Sequence, residues 1–168
     1  MATSKPLFII VPGSFTTPPF YDKLVSVLRA QGQDVQVIPL PSANDGSVLP
    51  APTVEDDAAA IRRAVLAVLD DAARPRDVVL TMHSYAGVPG TSALRGLDRA
   101  ARTAAAPAGG PTATAVTGLV YLGAMIPDVG QSLREISGGF DAIQEPYKTG
   151  EPGGYMPALP AEFAPLIL

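Results

Sequence analysis

A serine near the middle of the chain lies between an apolar run and a stretch of small residues. Residues 77–82 are mostly apolar and β-branched, and Ser84 is followed by Tyr85 and Ala86 at the start of a helical pattern. A tight turn from a strand into a helix lifts one side chain clear of its neighbours, and it points the first N–H groups of the helix at one place. Ser84 is therefore a candidate nucleophile, beside N–H groups that can stabilise a developing negative charge.

The spacing around Ser84 meets the requirements of such a turn only in part. The residues two before and two after the serine crowd together, so small side chains are preferred at both positions. Ala86 is small, but Met82 takes the place of the usual glycine in the G-x-S-x-G pattern. A helix N-cap is the alternative role for this serine, and the surrounding elements have to decide between the two roles.

Composition narrows the class of protein. The 168 residues are 47% hydrophobic, carry a formal net charge of −4 and include no cysteine. This composition fits one globular domain, and the acidic balance disfavours nucleic acid and anionic membrane surfaces as partners. Without cysteine, disulfides and thiolate metal sites are excluded. No apolar run is long enough for a secretory leader or a membrane span, so we expect a cytoplasmic protein.

Strand and helix patterns alternate along most of the chain. Apolar runs predict buried strands over residues 7–11, 35–38, 77–82 and 117–124. Apolar residues at helical spacing predict helices that begin near Thr17, Thr53 and Val88. This order is that of an α/β protein with a parallel sheet and helices on both faces. Because crossovers are right-handed, functional loops lie at the carboxyl ends of the strands, where residues 13–15 and Ser84 would meet.

The other segments are predicted to be connections. Residues 39–52 and 104–115 are rich in proline, glycine and small residues, which predicts a loop and a flexible surface connection. Beyond Pro127, glycine, proline and isolated aromatic residues dominate, with one short helix predicted around residues 132–136. The sequence contains no visible repeat and no second domain.

The loop after the first strand and the segment around Ser84 resemble the α/β-hydrolase superfamily, in particular its compact, cofactor-free branch of methylesterases and hydroxynitrile lyases. The family's oxyanion loop usually reads His-Gly-X, and residues 11–15 are similar to it, with Pro12 where histidine is common. Residues 82–87 match the family's elbow, and residues 122–128 resemble the strand after it and the loop that leads into a lid. The resemblance spans residues 7 to about 135.

This resemblance implies a role for each matching residue. Ser84 would attack the substrate carbonyl, and the backbone N–H groups of Ser14 and Tyr85 would form the oxyanion hole. The family order is serine, acid, histidine, with the acid and the histidine on loops after later strands. His83 is the one histidine of the chain. Alternation along the strand would point its side chain away from the Ser84 hydroxyl, so we expect it to pack or to orient other groups.

The chain is therefore expected to be one part of an enzyme. Residues 1–128 would form the N-terminal core of the hydrolase domain and residues 129–168 the start of a lid. The remaining core strands, with the acid and the histidine, would lie on a second polypeptide. A sheet that ended at residues 117–124 would expose a flat apolar edge that is open to aggregation, which favours this interpretation over a truncated protein without catalysis. The chain alone is expected to be inactive.

Other residues fit the expected chemistry less well. Asp128 follows the fourth strand and is a candidate for a displaced triad acid, although an aspartate after proline more often belongs to a loop. The acids Asp45, Asp56 and Asp57 have no histidine partner and no metal-ligand spacing, so we expect no metal. Residues 13–15 lack the glycine pattern and the lysine of a phosphate loop. We therefore expect neither a nucleotide nor any other cofactor.

The main hypothesis is a serine hydrolase, similar to an esterase, that acts on a small apolar ester or a related carbonyl compound. The same scaffold also supports C–C or C–CN bond cleavage, in which the serine assists proton transfer without acylation. A non-catalytic protein that binds a ligand in the same pocket is the third alternative. The fold alone does not choose among the three.

Overall fold

The described part of the chain is built on a parallel sheet. The computed structural model describes residues 5–44, 47–108, 110, 113–136 and 156–157. Within these residues the strands are Leu7–Val11 (β1), Asp34–Val37 (β2), Ala43–Asn44 (β3), Val78–His83 (β4), Val116–Leu122 (β5) and Met156–Pro157 (β6). A parallel sheet has the order β2-β1-β4-β5, and β3 pairs with β6. The predicted α/β architecture is confirmed, with strand ends moved by one or two residues.

Helices cover both faces of this sheet. A 3-10 helix, Pro18–Tyr21, leads into Asp22–Ala30 (α1), and further helices are Val54–Leu69 (α2), Gly87–Ala93 (α3), Arg99–Ala105 (α4) and Leu133–Ile136 (α5). The side chains of β1 alternate between two apolar cores. Leu7, Ile9 and Val11 pack with α2, whereas Phe8 and Ile10 pack with α1. Both faces of β1 are therefore buried, as a continuous apolar run predicts.

The ends of the first two helices follow from their sequences. Pro18 and Pro19 occupy the first turn of the 3-10 helix, where a missing N–H costs little. Gly32 follows α1 with a φ of 74°, a conformation that glycine adopts readily. A capping box starts α2: Thr53 Oγ1 accepts the Asp56 N–H at 3.3 Å, and Asp56 Oδ2 accepts the Thr53 N–H at 2.8 Å. The latter bond holds the pKa of Asp56 below its usual value.

The segment after α3 differs from the sequence prediction. Apolar spacing predicts one helix over residues 88–97, whereas α3 ends at Ala93 and α4 is a separate helix. Gly96 has a φ of 75°, which breaks the helical path between them. No residue of α4 is buried, so no apolar periodicity reveals it. Its sequence signal is Asp98, whose carboxylate accepts the Ala101 N–H at 3.0 Å as an N-cap.

β5 is an edge strand with apolar side chains in solvent. Its hydrogen-bonding neighbour among the described strands is β4. Leu119, Val120 and Leu122 are 46%, 40% and 37% exposed. Because successive residues of a strand face opposite sides of the sheet, both faces of β5 are uncovered in the part of the chain that the structure describes. The apolar edge predicted from the sequence is therefore present.

The Met82 side chain on β4 occupies the space that Gly90 leaves open on α3. Met82 is fully buried at the end of the strand. A Cβ added to Gly90 would lie 2.5 Å from the Met82 sulfur and 2.9 Å from its Cγ. The glycine on the helix thus makes room for the methionine on the strand. This explains how a large side chain stands where the pattern around Ser84 usually has glycine.

Gly90→Ala should destabilise the fold because its methyl group displaces the buried Met82 side chain. We expect the free energy of unfolding to fall by about 1–3 kcal/mol, the usual cost of overpacking, although alanine has the higher helix propensity. In a Met82→Ala background the loss should be smaller by at least about 0.5 kcal/mol. Urea unfolding of the wild type, both single variants and the double variant measures this coupling.

The matched control is Gly118→Ala, since its added methyl would meet Val79 at an ordinary 3.5 Å. Its effect on stability should be small and independent of the Met82 background. Equal losses for Gly90→Ala with and without Met82 would contradict the packing described here.

Candidate active site

Ser84 lies in the turn between β4 and α3 and has an unusual backbone conformation. Its φ is 53°, and a short 3-10 helix, Ser84–Ala86, joins the strand to α3. A left-handed conformation costs a residue with a Cβ about 1–2 kcal/mol, so surrounding contacts have to hold it. A sharp, strained turn from strand to helix is the geometry of a nucleophile elbow, as the sequence predicts at this position.

Two loops approach the elbow closely. In the loop after β5, the Met125 N–H donates to the Ser84 carbonyl at 3.0 Å. A side chain at Gly87 would overlap the Met125 carbonyl oxygen, so only glycine lets this loop pass. In the loop after β1, a Cβ added to Gly13 would lie 3.0 Å from Ser84 Cβ. The structure thus brings Ser84 against the loop of residues 13–15, as the predicted topology requires.

Backbone N–H groups of both segments are available beside Ser84. Among the described residues, the Ser14 N–H has no hydrogen-bond partner. Tyr85 is the second residue of the 3-10 helix, where an N–H has no partner within the helix. Phe15 has a φ of 64°, so the loop turns sharply directly after Ser14. Unpaired N–H groups of this kind are what an oxyanion hole is made of.

A buried hydrogen-bond network lies behind this loop. The Gly13 N–H donates to Tyr21 Oη at 2.9 Å, and Thr16 Oγ1 donates to the Gly13 carbonyl at 2.8 Å. Tyr21 Oη also lies 3.1 Å from Thr16 Oγ1 and 2.8 Å from His83 Nδ1. The network therefore connects the loop after β1, the 3-10 helix before α1 and the last residue of β4.

His83 belongs to this network. Besides the bond between its Nδ1 and Tyr21 Oη, its ring packs edge-on against the Tyr21 ring, with 5.9 Å between the ring centroids. Burial lowers the pKa of His83 below its usual 6.5, so the imidazole is neutral at pH 7. The contacts agree with the expectation that this histidine packs and orients other groups.

No base for Ser84 is found among the described residues. The Ser84 hydroxyl has no hydrogen-bond partner within them. Asp128 is exposed and lies in a turn, where its own N–H donates to Gln131 Oε1 at 3.0 Å. The same residues hold no cluster of histidine, aspartate or glutamate that could bind a metal ion. The described part of the site thus has a candidate nucleophile and N–H donors, without the proton acceptor.

Comparison of the sequence with family models leads to the same family as the parallel sheet, the elbow and the loop beside it. The model described as the Alpha/beta hydrolase family matches residues 8–166. This chain belongs to the alpha/beta hydrolase family. The resemblance stated from the sequence is confirmed.

Two relatives of this chain are longer proteins. The chain is 34% identical to the probable hydrolase R7 of Phoma sp., over 98% of this chain and 59% of that protein. It is 35% identical to the alpha/beta hydrolase nvfD of Aspergillus novofumigatus, over 77% of this chain and 47% of that protein. The chain thus spans about half the length of the relatives it matches.

Solved structures share the fold at low sequence identity. Polyneuridine aldehyde esterase is 19% identical and superposes with a TM-score of 0.56, over 83% of this chain and 48% of that one. Tomato methylketone synthase I, complexed with 2-tridecanone, is 15% identical with a TM-score of 0.58, over 80% and 45%. These likenesses concern the fold alone.

A buried carboxylate, with no functional role predicted from the sequence, anchors the elbow. Asp57 is fully buried and accepts hydrogen bonds from the Ser42 N–H at 3.0 Å, the Ser42 hydroxyl at 2.6 Å and the Tyr85 hydroxyl at 2.8 Å. Burial, and then the charge of Asp57, raises the pKa of Tyr85. The spacing of the sequence could have indicated this role. Asp57, Ile61 and Val65 lie four residues apart on the apolar stripe of α2, so Asp57 is expected to be buried, and a buried acid needs a polar partner.

Other predictions stay untested. Most of the predicted lid, residues 129–168, lies outside the described residues. The additional core strands on a second polypeptide stay a prediction. No helix in the described part of the chain is long and apolar enough to cross a membrane. The cytoplasmic location stays a prediction.

His83→Gln should lower stability and alter its dependence on pH. Because burial holds the folded-state pKa of His83 below 6.5, the unfolded chain binds a proton near that pH which the folded chain does not. The free energy of unfolding should therefore fall as the pH decreases from about 7.5 to about 5.5. In a chain with one histidine, His83→Gln should remove this part of the slope. Urea unfolding at several pH values measures it.

In the assembled enzyme, turnover per folded molecule should fall by no more than about 10- to 100-fold in the same variant, the effect of misplacing a catalytic group. His83 orients the loop through Tyr21, and it makes no bond to the Ser84 hydroxyl. A loss of turnover of about 10³-fold or more, the size expected for a triad member, would contradict this interpretation and make His83 the base.

Proposed function

We propose that this chain supplies the nucleophile and the oxyanion hole of a serine hydrolase, similar to an esterase, that acts on a small apolar ester or a related carbonyl compound. The observation that carries the proposal is the φ of 53° at Ser84, beside the loop of residues 13–15, with a hydroxyl that has no hydrogen-bond partner among the described residues. Membership in the alpha/beta hydrolase family supports hydrolysis as the type of reaction. The relative from Phoma sp. is itself named a probable hydrolase.

In the proposed first step, Ser84 Oγ forms a bond to the carbonyl carbon of the ester, and its proton passes to a histidine outside the described residues. The carbonyl oxygen becomes negatively charged and accepts hydrogen bonds from the N–H groups of Ser14 and Tyr85. The bond to the alcohol oxygen then breaks, and the histidine returns the proton to that oxygen. Water hydrolyses the resulting acyl-enzyme. One such N–H donor lowers the barrier by about 2.7–4 kcal/mol.

The base and the acid belong, in this proposal, to a second polypeptide that carries the C-terminal half of the fold. Among the described residues, β5 has a free edge and two uncovered faces, on which Leu119, Val120 and Leu122 expose apolar surface, and this supports the proposal. The lengths of the relatives also support it, because the match covers only 59% of one relative and 47% of the other. A further strand beside β5 would pair its edge, and helices behind that strand would cover its faces.

Ser84 should react covalently in the assembled enzyme because its hydroxyl is the proposed nucleophile. A fluorophosphonate probe, followed by peptide mapping, should label Ser84 and no other serine. Ser84→Ala should abolish labelling and reduce hydrolysis of short-chain aryl esters by about 10⁶-fold.

The matched control is Ser92→Ala on α3, whose hydroxyl bonds the Val88 carbonyl at 3.1 Å and should not affect labelling. Ser14→Ala should also retain activity, since it keeps the backbone N–H that the proposal uses. An assembled, folded sample that stays unlabelled would contradict acylation, and it would leave the lyase and the non-catalytic interpretations.

The chain alone should show no hydrolysis that depends on Ser84, whereas the chain together with the C-terminal part should. Assays of both samples on short-chain aryl esters test the difference, because a serine hydroxyl needs a base. Hydrogen exchange gives a second measurement: amides of β5 that face its free edge should exchange rapidly in the isolated chain and slowly after assembly.

A surface variant separates docking from folding. Leu122→Lys replaces an exposed apolar side chain of β5 by a charge and should weaken assembly, whereas Val27→Lys, at a position that is 54% exposed on α1, should not. Ser84-dependent hydrolysis by the isolated chain would contradict the proposal, since it would require a base within this chain.

A further inference from the structure

The peptide between Gly13 and Ser14 is held in one orientation by Thr16. The Gly13 carbonyl accepts hydrogen bonds from Thr16 Oγ1 at 2.8 Å and from the Thr16 N–H at 3.3 Å. In a trans peptide the carbonyl and the following N–H point in opposite directions. The contacts that fix the Gly13 carbonyl therefore also fix the direction of the Ser14 N–H.

Tyr21 fixes the peptide on the other side of Gly13. The Gly13 N–H donates to Tyr21 Oη at 2.9 Å, so this N–H is engaged inside the protein. The same phenol oxygen lies 2.8 Å from His83 Nδ1. One hydroxyl group thereby joins the loop after β1 to the residue directly before Ser84.

A count of protons assigns the donors in this network. The single hydroxyl proton of Thr16 points to the Gly13 carbonyl. The contact of 3.1 Å between Thr16 and Tyr21 is then a hydrogen bond only if Tyr21 donates, which uses the single phenol proton. The contact between Tyr21 and His83 in turn needs a proton on Nδ1. In this arrangement Tyr21 Oη accepts twice and donates once, and every donor has an acceptor.

The hydrogen bonds of this network are buried, so the loss of any of them would destabilise the fold. Thr16 and Tyr21 are 2% and 1% exposed. Burial raises the pKa of Tyr21 and lowers that of His83, so the phenol and the imidazole are both neutral at pH 7. An unpaired buried polar group costs about 1–3 kcal/mol. If all four contacts of this network are hydrogen bonds, including the 3.1 Å contact between Thr16 and Tyr21, the proton of His83 has to lie on Nδ1.

We propose that Thr16, Tyr21 and His83 are positioning residues of the oxyanion hole and that His83 carries its proton on Nδ1. Thr16 aims the Ser14 N–H at the place where the oxyanion forms, and Tyr21 and His83 tie that loop to the elbow. The inference rests on the proposed function of Ser84. The position of the proton on His83 does not depend on catalysis and is measured separately.

Nitrogen-15 NMR of the labelled chain reads the position of the histidine proton without ambiguity, because His83 is the one histidine. We expect a protonated Nδ1 and an unprotonated Nε2 at neutral pH. Tyr21→Phe removes the acceptor and should shift the proton towards Nε2. The control Tyr121→Phe removes a hydroxyl that contacts Thr91 Oγ1 at 3.1 Å and should leave the imidazole signals unchanged.

Kinetics of the assembled enzyme on p-nitrophenyl acetate tests the positioning role. Thr16→Val removes the hydroxyl at nearly constant volume. It should lower kcat by about 10- to 100-fold, the effect of misplacing a catalytic group. KM should stay within about twofold, because the oxyanion exists only in the transition state. Thr16→Ser keeps the hydroxyl and should recover most of the rate. Thr117→Val is the matched control, because Thr117 lies near the start of β5, at the end of the sheet away from Ser84.

Several results would overturn the inference. A proton on Nε2 in the wild type, or a His83 spectrum that Tyr21→Phe does not change, would refute the network. Wild-type kcat in Thr16→Val, or equal losses in Thr16→Ser and Thr16→Val, would refute the positioning role. If the assembled wild type shows no hydrolysis that depends on Ser84, the proposed function fails, and the NMR result still decides the network.

Discussion

The left-handed backbone at Ser84 is the constraint on which the rest of the structure depends. A residue with a Cβ keeps such a conformation at a cost of about 1–2 kcal/mol, and only where its surroundings leave no alternative. Here β4 is held between β1 and β5, and a helix begins directly after the turn. The close approaches of Gly13 to Ser84 and of Met125 to Gly87 fix the turn from outside. The conformation of the elbow therefore depends on contacts from several segments of the sheet and its loops.

The residues on either side of Ser84 are anchored on opposite faces of that sheet. His83 bonds Tyr21, which lies in the core beside α1. Tyr85 bonds Asp57, and its ring lies in the core beside α2. Because both partners are buried, any shift of the elbow would break bonds that water cannot replace. This double anchoring explains why polar side chains occur inside two apolar cores, and it gives the serine the fixed geometry that the proposed reaction requires.

Much of the fold follows from local sequence patterns, whereas details of the site depend on contacts between distant segments. The strands β1 and β4 are continuous apolar runs, and α2 has both a capping box and an apolar stripe, so each is predictable. No apolar face reveals α4. Met82 departs from the elbow pattern until Gly90, on the next helix, is seen to leave room for it. Asp57 is on the stripe by its spacing, but only the folded chain shows that Tyr85 is its partner.

The described residues supply one side of the proposed reaction and leave the other side open. In the proposed reaction the N–H groups of Ser14 and Tyr85 stabilise charge, while nothing described accepts the proton of Ser84. In serine hydrolases these contributions are separable, since loss of a triad member leaves an acceleration of about 10³–10⁴ over water from the oxyanion hole and binding. Turnover that is lost in Ser84→Ala therefore shows that a base is present. Weaker turnover that remains in this variant measures the contribution of the oxyanion hole and binding. Because the carboxyl end of β5 lies at the same sheet edge as Ser84, strands that cover β5 would also carry their loops, and the base, to the serine.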